Sequence, residues 1–268
     1  MESVMFSPEH VILKQDAKGD GIYFVTTGDC VVNVNNNLGE EIHAVRLLVE
    51  GEHFGEISTL YDCLVSATVI SRNYNIMARM TQDRFKEFSI EFPEYKDLLK
   101  KRIKNYKDPK INFLKKTFRS FFLFKDIDDS VLTDLMYQME PKYYTKGQLV
   151  CKIGQVGDTL LIIEKGEVDI KTHMEGNEFM LDRLIPGTVI NYRTFLLDDL
   201  VDVDMVCVSG CKILEMPFKK LEIIMLEHPE FEIEIKKHQQ RILNQNIEYP
   251  LDYTVPPDIY KQRLEKNF

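Results

Sequence analysis

The chain has 268 residues, 44% of them hydrophobic, and a formal net charge of −9. This length and apolar content suit two folded domains and exclude a disordered polymer. We find no apolar run near the ~20 residues that span a bilayer, and no signal peptide at the start. The five cysteines form no Cys-x-x-Cys pair, which indicates small buried side chains in a reducing compartment. We therefore expect an intracellular, cytoplasmic protein without a membrane span.

The first elements in chain order are short strands. Val- and Ile-rich runs at 22–25 and 30–34, bounded by Gly, Asp and Asn, predict an antiparallel meander with tight turns. Residues 81–90 then place apolar side chains at helical spacing. A basic stretch follows, because residues 96–119 hold ten Lys or Arg and only two Asp. We expect this stretch to be helical up to Pro109.

The second half of the chain repeats the first. Residues 6–32 align with 144–170 without a gap at an offset of 138, and the offset later becomes 136. Gly51 then meets Gly187, and Pro93 meets Pro229. The repeat predicts an α+β protein with two domains of one fold, each a roll of antiparallel strands followed by C-terminal helices. The second copy is preceded by a predicted helix near 130–139, capped by Asp129 or Ser130.

Residues 54–69 carry the motif with the most chemical content, FGEISTLYDCLVSATV. A glycine before a short helix lets backbone N–H groups approach an anion. The run resembles the phosphate-binding cassette of cyclic nucleotide-binding domains. That resemblance implies two jelly-roll-like β-roll domains, with Glu56 accepting a hydrogen bond from a ribose 2′-hydroxyl and Ser66 donating to a phosphate oxygen. The candidate pocket residues are Phe54, Gly55, Glu56, Ile57, Ser58, Ser66 and Ala67.

Both copies depart from the family at one position. Val65 stands where the family has the arginine that neutralises the cyclic phosphate, and Val201 is its equivalent in the second copy. Losing this charge-assisted contact costs about 1.5–3 kcal/mol, or roughly ten- to more than hundredfold in affinity. The second copy also replaces Phe-Gly-Glu by residues 190–192, Ile-Asn-Tyr, and has acidic neighbours at Asp202 and Asp204. We expect no nucleotide in the second domain, and at most cAMP or cGMP in the first.

These patterns predict four segments: a first domain at 1–105, a basic helical linker at 106–118, a strongly degenerate second domain at 119–243 and an extended tail at 244–268.

Family members carry a helix before the first strand, which the first domain has no room for. Either a partner covers this open end, or the chain is an incomplete version of a longer gene product. The basic stretch 96–119 is either a landing surface for an acidic partner or a solvated connecting helix, and without a recognised motif we expect no nucleic acid. The proline-bearing tail 249–268 either straps a neighbouring chain or packs back on its own domain.

Enzymatic motifs are missing from the sequence. Residues 154–158 lack the Lys-Ser/Thr of a P-loop, the histidines show no metal spacing, and Asp126, Asp128 and Asp129 lack the Gly and Glu of a calcium loop. We therefore predict no enzyme, no metal and no obligatory cofactor. Two functions stay open. One is a scaffold subunit of a larger assembly, by analogy ciliary or cytoskeletal; the other is a sensor that binds cAMP or cGMP in the first domain only.

Overall fold

A computed structural model describes residues 1–34, 43–104, 106, 108–174, 176–244 and 252–256. The chain divides into two compact units, Met1–Lys107 and Asp108–Phe268. Each unit has its own sheets, helices and hydrophobic core.

Unit 1 is a roll of short strands followed by two helices. The strands are β1 (Glu2–Phe6), β2 (Val11–Leu13), β3 (Gly21–Thr27), β4 (Asp29–Val34), β5 (His43–Val49), β6 (His53–Phe54), β7 (Thr68–Ser71) and β8 (Asn75–Thr81). The helices are α1 (Glu56–Tyr61), α2 (Gln82–Glu91) and α3 (Pro93–Ile103). Helix α2 begins where the Thr81 hydroxyl accepts a hydrogen bond from the Arg84 N–H, which is an ordinary N-cap.

Unit 2 repeats this plan, with helices added before it and a strand after it. The helices are α4 (Pro109–Ser120), α5 (Asp129–Gln138), α6 (Tyr192–Leu197), α7 (Phe218–Glu227) and α8 (Pro229–Asn244). The strands are β9 (Glu140–Tyr144), β10 (Leu149–Cys151), β11 (Thr159–Lys165), β12 (Val168–Met174), β13 (Asn177–Leu184), β14 (Val189–Ile190), β15 (Asp204–Cys207), β16 (Cys211–Pro217) and β17 (Tyr253–Thr254).

The sheet orders show that the two units share one topology. Unit 1 has sheets β1-β8-β3-β6 and β2-β7-β4-β5, and unit 2 has β9-β16-β11-β14 and β10-β15-β12-β13 in the equivalent positions. All these pairs are antiparallel. Strand β17 extends one sheet of unit 2 beyond β14, and in the described part of unit 1 no strand takes the equivalent place beside β6. The predicted α+β class with two β-rolls is confirmed.

Apolar residues on alternate strand positions fill each roll. In unit 1 Tyr23, Val25 and Met77 are buried in one cluster that also contains Val65. In unit 2 Ile163, Ile170 and Ile213 lie in the equivalent cluster with Val201. Cys30 is buried in the cluster of unit 1, as the composition predicted, and burial raises the pKa of this thiol to about 11, so it stays protonated.

Helix α4 corrects the predicted linker. The sequence placed residues 106–118 outside both domains, but Leu114 and Phe118 are fully buried in the helical core of unit 2 with residues of α5, α7 and α8. An amphipathic sequence pattern indicates this burial, because the apolar residues of α4 recur at helical spacing between lysines. Asp108 caps this helix by accepting hydrogen bonds from the N–H groups of Lys110 and Ile111.

The predicted cap of α5 is also shifted. Asp128, not Asp129 or Ser130, accepts the capping hydrogen bond, from the Ser130 N–H at 2.7 Å. Asp128, one of the three aspartates that lack the rest of a calcium loop, is therefore a helix cap.

The described part of the tail packs back on its own unit. Tyr253 pairs with Ile190 and Thr254 with Val189, so β17 completes the edge of a sheet. A neighbouring chain is therefore not needed to hold residues 252–256. The rest of the predicted tail, 245–251 and 257–268, lies outside the described residues.

Candidate functional site

The first cassette brings all the predicted pocket residues together. A cavity of about 150 Å³ in unit 1 is lined by the seven residues Phe54, Gly55, Glu56, Ile57, Ser58, Ser66 and Ala67. Val65, Leu48 and Tyr106 also line it. Sites for small molecules usually measure about 300–1,000 Å³, so this cavity is small for a whole nucleotide.

The cassette folds as it does because Gly55 lies between β6 and α1 with a positive φ of 83°. Its carbonyl accepts hydrogen bonds from the hydroxyls of Ser58 at 3.1 Å and Thr59 at 2.8 Å. A Cβ at Gly55 would lie 2.4 Å from the carbonyl oxygen of Gly21. The turn that carries the motif therefore requires glycine for both its backbone angle and its close approach to β3.

We expect Gly55→Ala to destabilise unit 1 more than Gly51→Ala does. Both glycines have a positive φ, 83° and 86°, so both substitutions should cost about 1–2 kcal/mol in backbone strain. A Cβ at Gly51 meets nothing within 4 Å, whereas the clash at Gly55 should add about 1–3 kcal/mol. Urea denaturation followed by circular dichroism measures the difference. Equal losses in the two variants would show that the cassette turn yields to a side chain.

Glu56 is the carboxylate of the pocket, and it is only 5% exposed. Its Oε2 is buried without a hydrogen-bond partner among the described residues. The Tyr106 hydroxyl makes a side-chain hydrogen bond to Glu56. Burial first, and then the charge of Glu56, raises the pKa of Tyr106 to about 12, so Tyr106 remains a neutral donor. The carboxylate that the family resemblance assigns to a ribose hydroxyl is thus contacted by a residue of the chain itself.

Positive charge is scarce in this cavity. Val65 is 5% exposed and belongs to the hydrophobic core, so it offers nothing to an anion. Among the described lining residues Arg46 carries the one permanent positive charge, and its Nη2 forms an ion pair with Glu52. The Val49 N–H, and then Arg46, hold the pKa of Glu52 below its usual value. Burial lowers the pKa of His53, which favours the neutral ring.

The second cassette has the same backbone shape and different chemistry. Asn191 takes the place of Gly55 with a φ of 61°, and Tyr192 takes the place of Glu56. Val201 is 3% exposed and packed in the roll, so this position, like Val65, offers no positive charge to a phosphate. The side chain of Arg193, which follows Tyr192, is only 23% exposed, and its Nη2 lies 3.7 Å from an oxygen of Asp202.

The Asp252 carboxylate contacts the first turn of α6. It accepts hydrogen bonds from the N–H groups of Arg193 at 2.7 Å and Thr194 at 2.8 Å, and from the Thr194 hydroxyl at 2.9 Å. At an offset of 136, these two amides correspond to those of Ile57 and Ser58 in the first cassette. Burial raises the pKa of Asp252, although the hydrogen bonds from Thr194 and Arg193 oppose the shift. The acceptor in the second cassette is therefore supplied by the tail.

Sequence reasoning missed three residues of these sites: Tyr106, Arg46 and Asp252. Tyr106 and Asp252 lie far from the cassettes in sequence, and nothing in their neighbours marks them as contacts. Arg46 lies on β5, where a charged residue is ordinarily exposed. Only the fold brings each of them to a cassette, so a motif search could not find them.

A group that the histidine spacing did not indicate lies in unit 2. Asp134, Glu227 and His228 each offer a ligand atom, all within 4.8 Å of one another. The His228 Nε2 lies 3.0 Å from Asp134 Oδ2, a contact that joins α5 to the junction of α7 and α8. We therefore interpret these three residues as a contact between helices.

Some side chains of the basic stretch 96–119 form hydrogen bonds and ion pairs within unit 2. The Lys110 ammonium donates to the Met139 carbonyl at 2.8 Å. Arg119 donates to the carbonyls of Lys125 and Ile127, each at 2.8 Å, and pairs with Asp129. These contacts hold α4 against α5, so this part of the stretch has a structural role and not only a surface one.

Two β-rolls, each with a short helix at a phosphate-type cassette and helices after the last strand, define a tandem module of the nucleotide-binding regulatory class. The family model for the cyclic nucleotide-binding domain matches residues 3–91 and 141–228. The chain therefore belongs to the cyclic nucleotide-binding domain family. None of the described helices is long and apolar enough to cross a bilayer.

Relatives with curated names include protein kinases, a kinase regulatory subunit and cyclic nucleotide-gated channels. The chain is similar to cGMP-dependent protein kinase 2 of Homo sapiens, with 23% identity over 197 residues, covering 73% of this chain and 23% of the kinase. It is similar to the cAMP-dependent protein kinase regulatory subunit of Dictyostelium discoideum, with 27% identity over 168 residues, covering 63% of this chain and 47% of that subunit. The chain thus spans less than half the length of these relatives.

The chain is also similar to a solved structure. The regulatory domain of Toxoplasma gondii PKA, crystallised with cAMP, aligns over 89% of this chain and 85% of that chain, with 16% identity and a TM-score of 0.41.

Proposed function

We propose that this chain is a non-catalytic scaffold of the tandem cyclic nucleotide-binding fold, which works in a larger intracellular assembly without bound cyclic nucleotide. One observation carries the proposal: both positions of the phosphate-binding arginine are valines buried in the hydrophobic cores of their rolls. A cyclic phosphate placed there would lose its water and gain no counter-charge. The ciliary or cytoskeletal setting stays a prediction from analogy.

The rest of the first pocket supports the same conclusion. Tyr106 contacts Glu56, so a ribose would have to displace this hydroxyl before reaching the carboxylate. Arg46 would have to leave Glu52 before it could pair with a phosphate. Each displacement breaks a contact that the protein makes without a ligand. Each therefore makes the free energy of ligand binding less favourable.

The aromatic surface of α2 and α3 in unit 1 is where we place a protein partner. Phe88, Phe92 and Tyr95 form an aromatic cluster on α2 and α3, and Tyr95 is 50% exposed. Its equivalent in unit 2, Phe231, is 4% exposed because it lies in the core that α4 and α5 complete. A partner helix with apolar side chains would cover the cluster as α4 and α5 cover its counterpart.

A second function is favoured by one specific observation. The Oε2 atom of Glu56 is buried in the cavity without a hydrogen-bond partner among the residues that the structure describes, and an unsatisfied buried acceptor of this kind is costly. A ligand hydroxyl would satisfy it. The second candidate function is therefore that of a sensor whose first domain binds cAMP, cGMP or an uncharged nucleoside. An uncharged nucleoside has no phosphate, so the missing arginine would not weaken its binding.

Calorimetric titration of the whole chain with cAMP, cGMP and guanosine separates the two functions. We expect no saturable heat with either cyclic nucleotide up to millimolar ligand, with circular dichroism confirming that the sample is folded. The control is Glu56→Ala, which should change stability and leave the titration flat. Saturable heat that Glu56→Ala abolishes would overturn the scaffold and establish a sensor.

A further inference from the structure

Segment 252–256 is held at unit 2 by contacts of two kinds. Its backbone pairs with β14 through Tyr253 and Thr254, and the Asn191 N–H donates to the Asp252 carbonyl at 2.8 Å. Its side chains reach further, since the Tyr253 hydroxyl donates to Asp182 and Pro256 packs over Gly187. Strand pairing of this type also positions peptides that bind in trans to sheet edges.

The Asp252 carboxylate is buried against the first turn of α6. It is 4% exposed, and its two oxygens accept from two consecutive backbone N–H groups and one hydroxyl. These donors belong to the turn that, in the first unit, lines an open cavity. A buried carboxylate with no such donors would be strongly unfavourable, so the carboxylate and the turn stabilise each other.

Helix α6 is fixed at both ends by parts of the chain that follow it. Asp252 binds its first turn, and the Gln239 side chain of α8 donates to the Leu196 carbonyl at its last turn, at 2.7 Å. The segment therefore lies on the same helix that α8 contacts. Whatever holds or releases the segment acts directly on the order of α6.

We propose that segment 252–256 is a tethered ligand of the second cassette, whose Asp252 carboxylate takes the position of an anionic ligand and keeps α6 ordered without any molecule from solution. A tethered group acts at an effective concentration in the millimolar range, so a weak intrinsic contact suffices to fill the site. A partner that captured the segment would free the α6 amides. This proposal concerns unit 2 and is independent of whether unit 1 binds a nucleotide.

The test is amide hydrogen exchange, read by NMR on the whole chain, with Asp252→Ala as the main variant. We expect the amides of Arg193, Thr194 and Thr254 to exchange at least tenfold faster together, while Ile162 and Leu214 in the sheet keep their protection. The matched control is Asp126→Ala, which removes an exposed carboxylate of the same unit and should change none of these rates. Unchanged protection at Arg193 and Thr194 in Asp252→Ala would overturn the proposal.

A second variant decides the matter if Asp252→Ala unfolds the unit. Thr194→Val keeps the side-chain shape and removes only the hydroxyl that donates to Asp252 Oδ2. We expect exchange at the segment and at the start of α6 to rise together by about threefold or more. If the segment becomes mobile while α6 stays protected, Asp252 is a surface contact and not a ligand of the cassette.

Discussion

Replacing Phe118 by alanine should lower the free energy of unfolding of unit 2 by about 3–5 kcal/mol. The ring is fully buried on α4 and lies against Phe124 with their centroids 4.9 Å apart. Its removal leaves a cavity among residues of α4, α5, α7 and α8, which the rest of a packed core cannot fill. A loss of this size is a large fraction of the stability of an ordinary domain.

The measurement is urea denaturation, with exchange protection in each unit to assign the transition that moves. Asn112→Ala is the matched control, because it lies exposed on the same helix and should change the stability by less than about 0.5 kcal/mol. A cost below about 1 kcal/mol for Phe118→Ala would mean that α4 contributes little packing. The helix would then be the connector that its basic composition first predicted.

This helix also shows where sequence reasoning stops. The lysines of residues 96–119 suggested a linker because charge is visible in a sequence and burial is not. The repeat, by contrast, predicted the strands and the helices after them, since Gly51 and Gly187 adopt the same positive φ and the sheet orders coincide. Local periodicity and turn chemistry were enough for this part of the fold.

The candidate site was predictable only to the extent that it is local. The seven cassette residues of unit 1 are contiguous or nearly so, and they line one cavity. Tyr106 and Asp252 reach their cassettes from about 50 residues away or more along the chain, through the path of α3 and the tail. Contacts of this separation depend on the completed fold, and a single sequence carries no pattern that specifies them.

Restoring the arginine should bring cyclic nucleotide binding back to unit 1. In Val65→Arg we expect the affinity for cAMP or cGMP to rise by about ten- to hundredfold, from a contact worth about 1.5–3 kcal/mol. The backbone at this position is already fixed, since the Val65 N–H donates to Ala17 and its carbonyl accepts from Asp16, each at 2.9 Å. The new guanidinium would face a cavity that Gly55 and Ser66 line.

Calorimetry and thermal unfolding measure this gain together. The variant without ligand should be less stable than the parent, because it places an unpaired charge in a hydrophobic core, and cyclic nucleotide should then raise its unfolding temperature. Val201→Arg is the control in unit 2, where Asp252 already holds the α6 amides and Tyr192 replaces the carboxylate. It should gain no binding.

The outcome of Val65→Arg separates two physical reasons why unit 1 would bind no cyclic nucleotide, as we propose. A folded variant that binds cyclic nucleotide shows that the missing charge alone disabled unit 1. A folded variant that still fails to bind at millimolar ligand contradicts the prediction, and Tyr106 becomes the obstacle, because its hydroxyl holds Glu56. The double substitution of Val65 by Arg and Tyr106 by Ala would then have to bind. If it did not, the cavity of about 150 Å³ would be too small for a nucleotide whatever its charge, and unit 1 would be a closed structural domain.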